Sequence, residues 1–194
     1  MNNYFFGESS VSLMMNHVAG VPQHQRKKKK KNTPPGATLK PRGAPSAVFA
    51  AGALDSPPEL TAFPYPHTSV GGLFDRSVLL SVRDELASLH RTFKETDLFK
   101  VFQTGDLANI DPTDLEHARS LPQMIRLRAA LYSPAFRAWV SKVTGCAELT
   151  EQQDCSCNVY GHGGHLLCHD DVIGTRCAFL QIDIDRKKGG SIDQ

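Results

Sequence analysis

The chain has 194 residues, 40% of them hydrophobic, with a formal net charge of +2, which is room for one domain of ordinary size plus a tail and enough apolar material for a core. No apolar run approaches the ~20 residues that cross a bilayer, which argues against a membrane protein. The first residues lack the basic-then-apolar pattern of a secretory signal, so an intracellular protein, cytoplasmic or nuclear, is expected. All five cysteines fall from Cys146 onward, an odd count without the spread of a secreted disulfide scaffold, and they read as reduced thiols. The six positive charges of Arg26 and Lys27 to Lys31 leave the other residues at −4 against a total of +2. Basicity therefore belongs to one short run, and the body carries no broad nucleic-acid footprint.

Residues 1–56 combine that basic run with Pro22, Pro34-Pro35, Pro41 and Pro45 and with scattered Gly, Ala and Ser. Few apolar clusters occur there outside the first fifteen residues, so the expectation is a disordered arm that cannot offset its ordering entropy. The Arg26–Lys31 run has two readings, an import-receptor or RNA contact and a plain solvated charge run. A second unit, 57–194, is expected to hold the fold, helical to about residue 145 and stranded after it.

Pro57-Pro58 and Pro64-Tyr65-Pro66 mark an entry loop. Val78, Leu79, Val82, Leu86 and Leu89 then recur at helical spacing, with Asp75 or Ser77 placed to cap the first turn. Alternation in Leu98–Phe102 predicts a short strand that ends at Gly105-Asp106. Pro112 suits the start of a helix, and a second helix through Gln123–Leu131 would bury Met124, Leu127, Ala130 and Leu131. A third opens at Pro134, carries Phe136, Trp139, Val140 and Val143 at core spacing and stops at Gly145. Trp139 is read as core; an aromatic in a helical apolar stripe packs inward more often than it stacks on nucleic acid. His67, His90 and His117 are read as surface residues.

From Gln153 the texture changes to extended pieces, Cys155–Tyr160, Leu166–Asp170 and Thr175–Ile184, separated by Gly161, Gly163-Gly164 and Gly174. Here metal-capable side chains gather most densely. His169 and Asp171 stand two residues apart, and on a strand such residues point the same way. One imidazole and one carboxylate would then form two corners of the 2-His-1-carboxylate arrangement that holds Fe(II) on one face and leaves the opposite positions open. Alone, an His-x-Asp triplet arises often by chance, and most such histidines are ordinary surface or core residues.

The surroundings of the triplet are more specific. Tyr160, Gly163, Leu166 and Leu167 precede it at the spacing Y-x-x-G-x-x-L-L-x-H-D-D, with Arg176 and Ala178-Phe179 beyond. This stretch resembles the Fe(II)/2-oxoglutarate-dependent oxygenases, and more narrowly the prolyl hydroxylases that modify a small-subunit ribosomal protein. Asp97-Leu-Phe-Lys100, Gln103-Thr-Gly-Asp-Leu107 and Phe136-Arg-Ala-Trp139 are similar to the same family. The resemblance implies that Tyr160 contacts 2-oxoglutarate, that His169 and Asp171 bind iron, and that no catalytic side chain is needed beyond the metal site. It further implies ascorbate as a reductant, a proline-containing ribosomal protein as substrate, and an α+β fold in which the helical part is followed by the first strands of a double-stranded β-helix.

The family takes its second His and the Arg that grips 2-oxoglutarate from strands late in the barrel, and no residue here matches either. A Tyr that usually helps bind the co-substrate has Ile182 near its place. The chain therefore reads as a truncated, N-terminal portion of the family's catalytic domain, with weak iron binding and little activity expected of it alone. His162 and His165 are candidates to replace the missing ligand, although a turn before a strand usually points such side chains at solvent. Two other classes compete. One is a zinc-stabilised binding module using Cys155, Cys157, His162, His165, Cys168 and His169, against which stands the absence of C-x-x-C spacing. The other is a non-catalytic protein-binding or scaffold form.

Overall fold

The computed structural model describes residues 10–19, 48–63, 66–169 and 176–184. Helices pack on one face of an antiparallel sheet, so the architecture is α+β. The strands are β1 (Ser10–Ala19), β2 (Arg91–Glu95), β3 (Phe99–Thr104), β4 (Leu149–Tyr160), β5 (His165–Leu166) and β6 (Arg176–Ile184). Their order is β2-β3-β4-β1-β6, with β5 also paired to β3.

Three of the described α-helices start where the local sequence supplies a cap. Asp75 accepts the N–H groups of Ser77 and Val78 and opens α1 (Arg76–Glu85). Asp114 does the same for Glu116 and His117 at α2 (Leu115–Ser120), and Ser133 accepts from Phe136 at α4 (Pro134–Thr144). These side chains satisfy N–H groups that have no partner inside the helix. The first turn of α3 (Pro122–Leu131) is capped from a distance: the Glu85 carboxylate accepts Gln123 N–H at 2.9 Å and Met124 N–H at 2.7 Å. Gly145 ends α4 at φ 68°, a left-handed conformation that a side chain would strain. Pro112 lies outside the helices; Asp111 and Thr113 form a side-chain-bonded turn there, and α2 waits for the Asp114 cap.

The apolar faces meet in one core. Val78, Val82, Leu86, Met124, Leu127, Ala130, Leu131, Phe136, Trp139 and Val140 pack against Met15, Cys155, Cys157, Val159, Ile182 and Ile184 of the sheet. Trp139 is thus a core residue, stacked on Phe136 at 5.7 Å between ring centroids. Alternation places Cys155, Cys157 and Val159 toward the helices and turns Ser156, Asn158 and Tyr160 to the opposite face.

The N-terminal expectation needs correction. Ser10–Ala19, inside the arm expected to be disordered, is β1, paired on one side with β4 and on the other with β6. Met15 is fully buried. The boundary at residue 57 also moves, because Val48 is fully buried and Phe49 packs between Phe74 and Phe136 at 5.3 and 5.4 Å. Two rungs, Ala50 N–H to Leu73 O and Asp75 N–H to Val48 O, tie that segment to the entry of α1. Pairing partners that lie more than a hundred residues away leave no local periodicity to read. Arg26–Lys31 lies outside the described residues, and no helix among the described residues is long and apolar enough to cross a membrane.

Candidate co-substrate and metal site

β3 presents its backbone first to β4, through Phe102 opposite Val159 and Gln103 opposite Asn158, and then to β5, through Lys100 opposite His165 and Phe99 opposite Leu166. Between the two ladders the chain makes an excursion, Gly161–Gly164, closed by a hydrogen bond from Gly164 N–H to Gly161 O of 2.8 Å. It behaves as a large bulge, re-aiming the chain between two runs paired to one strand. Two of its glycines are required by geometry. Gly163 has φ +72°, and a Cβ on Gly164 would meet Gly161 O at 2.9 Å and Lys100 O at 3.1 Å. The bulge sets Tyr160 at its start and the His169 segment just beyond its end.

Tyr160 ends β4 half-buried on the face away from the helices. Its hydroxyl accepts from Asn158 Nδ2 at 3.4 Å, and Asn158, only 4% exposed, accepts from Gln103 Nε2 at 2.9 Å. Burial pushes the Tyr160 phenol up from its ordinary range, opposed by the Asn158 hydrogen bond and assisted by the nearby Asp183 charge. At neutral pH the group is therefore a protonated phenol, able to donate to an anionic ligand.

His169 is exposed, and its Nδ1 lies 2.8 Å from Leu167 O. A carbonyl only accepts, so Nδ1 carries the proton, and in the neutral form of the ring the lone pair lies on Nε2. That is the tautomer in which a metal-ligating His is usually held, its other ring nitrogen donating to a backbone carbonyl. Here the strand expectation is corrected: β5 covers only His165–Leu166, with one further rung from Leu167 N–H to Leu98 O at 2.8 Å, and Cys168 and His169 lie beyond regular pairing. The one-face argument for His169 and Asp171 thus does not apply in its simple form, and Asp171 itself lies outside the described residues. His162 and His165 are both exposed around the glycine bulge.

Among the described residues no three His, Cys, Asp or Glu side chains gather as a metal group. The thiols proposed for zinc are poorly suited to it. Cys155 and Cys157 sit in the apolar core, where burial pushes both up, Cys157 to about 12 and Cys155 well above the ordinary thiol. A zinc ligand must be a thiolate, which these surroundings oppose. Ile182 faces the same core and is not available to the open face.

The sequence missed Asn158, whose amide donates to the Tyr160 hydroxyl, and Gln103, which donates to Asn158. A polar residue set between Cys157 and Val159 in an otherwise buried run was the one available sign.

With this geometry in hand, comparison with known proteins shows that the chain is similar to enzymes named prolyl hydroxylases. It is 54% identical over 114 residues to the prolyl 3,4-dihydroxylase OGFOD1 of Ostreococcus tauri, a match covering 58% of this chain and 22% of that protein. It is 33% identical over 156 residues to the prolyl 3-hydroxylase OGFOD1 of Xenopus laevis, covering 78% and 27%. To the prolyl 3-hydroxylase OGFOD1 of Mus musculus it is 38% identical over 119 residues, covering 59% and 20%. The chain thus spans about a fifth to a quarter of the length of these curated relatives. No family model matches it.

Proposed function

We propose that the chain forms the co-substrate- and iron-binding part of an Fe(II)/2-oxoglutarate-dependent dioxygenase that hydroxylates a proline of a ribosomal protein. The observation that carries this reading is the pairing of a protonated, half-buried phenol at Tyr160 with an imidazole at His169 whose Nδ1 proton is committed to Leu167 O. The two flank one glycine bulge, in a chain related to enzymes named prolyl hydroxylases. The sheet is read as the first strands of a double-stranded β-helix.

In this reading His169 and Asp171 hold the metal, and Tyr160 donates a hydrogen bond to 2-oxoglutarate. Iron, when bound, would activate dioxygen, one atom of which enters the succinate formed with carbon dioxide from 2-oxoglutarate while the other ends on the prolyl carbon. The protein's own work is positioning. The Leu167 carbonyl receives the His169 Nδ1 proton, the glycine bulge sets the spacing from Tyr160 to His169, and the helix-backed core supports the strand that carries Tyr160. Ascorbate is the reductant that keeps iron ferrous, and the Arg26–Lys31 run is a contact for RNA or an import receptor, consistent with work in the cytoplasm or nucleus.

The test is incubation of the chain with excess Fe(II), 2-oxoglutarate, ascorbate and a proline-containing ribosomal peptide. Succinate in low yield, with a matching small fraction of peptide heavier by one oxygen at proline, is expected, and neither should form with Asp171→Asn. Equal yields from the chain and from Asp171→Asn would overturn the assignment.

A further inference from the structure

The open face of the sheet carries a file of polar side chains in register. Lys94 on β2 lies diagonal to Gln103 on β3, Gln103 lies opposite Asn158 on β4, and Asn158 and Tyr160 are two residues apart on one face. Their hydrogen bonds have a direction. An ammonium only donates, so the Lys94 Nζ contact of 2.5 Å makes Gln103 Oε1 an acceptor and turns Gln103 Nε2 toward Asn158. Asn158 must then offer Oδ1 to Gln103 at 2.9 Å, and its Nδ2 faces the Tyr160 hydroxyl at 3.4 Å. Side-chain amides are ordinarily two-fold ambiguous; here a donor-only charge at the head of the file settles both.

We propose that Lys94, Gln103 and Asn158 are positioning residues that form a polarised hydrogen-bond relay, fixing the Tyr160 hydroxyl as a donor toward the 2-oxoglutarate carboxylate. The proposal rests on the reading of Tyr160 as a co-substrate contact. A phenol oxygen that already accepts from Asn158 has its own proton to give, and a carboxylate only accepts. Asp183 of β6, the carboxylate whose charge bears on Tyr160, is itself engaged by Gln181 Nε2 at 3.0 and 3.2 Å. With Asn158 almost wholly buried, its amide has little freedom to turn to water instead.

The relay is tested by reversing it. Gln103→Glu keeps an acceptor for Lys94 but removes the N–H offered to Asn158, so the Asn158 amide turns over, shows Oδ1 to Tyr160 and captures the phenol proton. In a nuclear Overhauser experiment on the chain, the Asn158 side-chain amide protons should lie close to the Tyr160 ring in the native protein and lose that proximity in Gln103→Glu. Affinity for 2-oxoglutarate, measured calorimetrically with Mn(II) in place of Fe(II), should fall about tenfold, the worth of one hydrogen bond to a charged group. Lys94→Met, on an exposed side chain, leaves the fold intact and should weaken the same amide-to-ring signal. It provides the answer if Gln103→Glu fails to fold. An unchanged signal and unchanged affinity in the two variants would overturn the relay while Tyr160→Phe still weakened binding. If Tyr160→Phe left the affinity untouched, the co-substrate reading of Tyr160 would fall and take the proposal with it, even with the amide orientation verified.

Discussion

The two faces of the sheet obey different rules. Toward the helices, Cys155, Cys157, Val159, Ile182 and Ile184 meet a continuous apolar layer, and what matters is volume and contact. Away from them, Gln103, Asn158 and Tyr160 meet through directed hydrogen bonds, and what matters is which atom donates. Stability accumulates on the first face by many interchangeable contacts. The second face instead carries a few groups joined by directed hydrogen bonds, and a substitution should read out differently on each.

The largest effect is expected on the helix side. Phe136 is fully buried among Phe49, Phe74 and Trp139. Phe136→Ala should cost about 3–5 kcal/mol, the lost transfer plus the cavity, seen as a lower urea midpoint at an unchanged slope. Asp106 comes next, since it accepts from Ala108 N–H at 2.9 Å, Tyr132 OH at 3.0 Å and Cys155 N–H at 3.3 Å, joining α3 to β4. Asp106→Ala strands those donors and should cost about 2 kcal/mol; a loss no larger than that of an exposed residue would show that water replaces it.

At the glycine bulge the expected effect is similar in stability but confined to one place. Gly164→Ala pushes a Cβ against Gly161 O and Lys100 O. About 1–3 kcal/mol should be lost, with faster amide exchange at Leu167, whose N–H bonds Leu98 O. Exchange that is unchanged there would separate the bulge from the His169 segment.

The smallest effect is a pH dependence. The Ser77 hydroxyl, with the N–H groups of Val78 and Ser77, holds the Asp75 carboxyl below its ordinary range. A carboxyl lowered in the folded state contributes stability that is present above its unfolded value and lost as pH falls through the folded one. Asp75→Asn keeps an acceptor for the cap but cannot titrate, so its thermal midpoint should fall less steeply below about pH 4 than that of the native chain. Glu85 runs the other way. Burial raises it despite the two α3 N–H groups it accepts, so its contribution is fully present in acid and declines as pH rises through the raised value.

The helix side was legible because its rules are local. Asp75, Pro134 and Gly145 mark ends, and Met124, Leu127, Ala130 and Leu131 recur at the helical period and are all buried. β1 was not legible: its partners on β4 and β6 are remote in the chain, and the Pro-rich, basic residues that follow dominate any composition window. Tyr160 and His169 stand out in the sequence through a motif, whereas the Gln103–Asn158 hydrogen bond does not, because register alone brings those two residues together. It also extended the strand through His169, where pairing stops soon after Leu166.

In the proposed site His169 and Asp171 hold a ferrous ion beside Tyr160. Anaerobic titration of the chain with Fe(II) and 2-oxoglutarate, followed by the visible charge-transfer band of a chelated 2-oxo acid, tests it most directly. A saturable band is expected that disappears in the His169→Ala, Asp171→Ala double variant and weakens in Tyr160→Phe; a band of equal strength and midpoint in the double variant would remove both residues from the metal site.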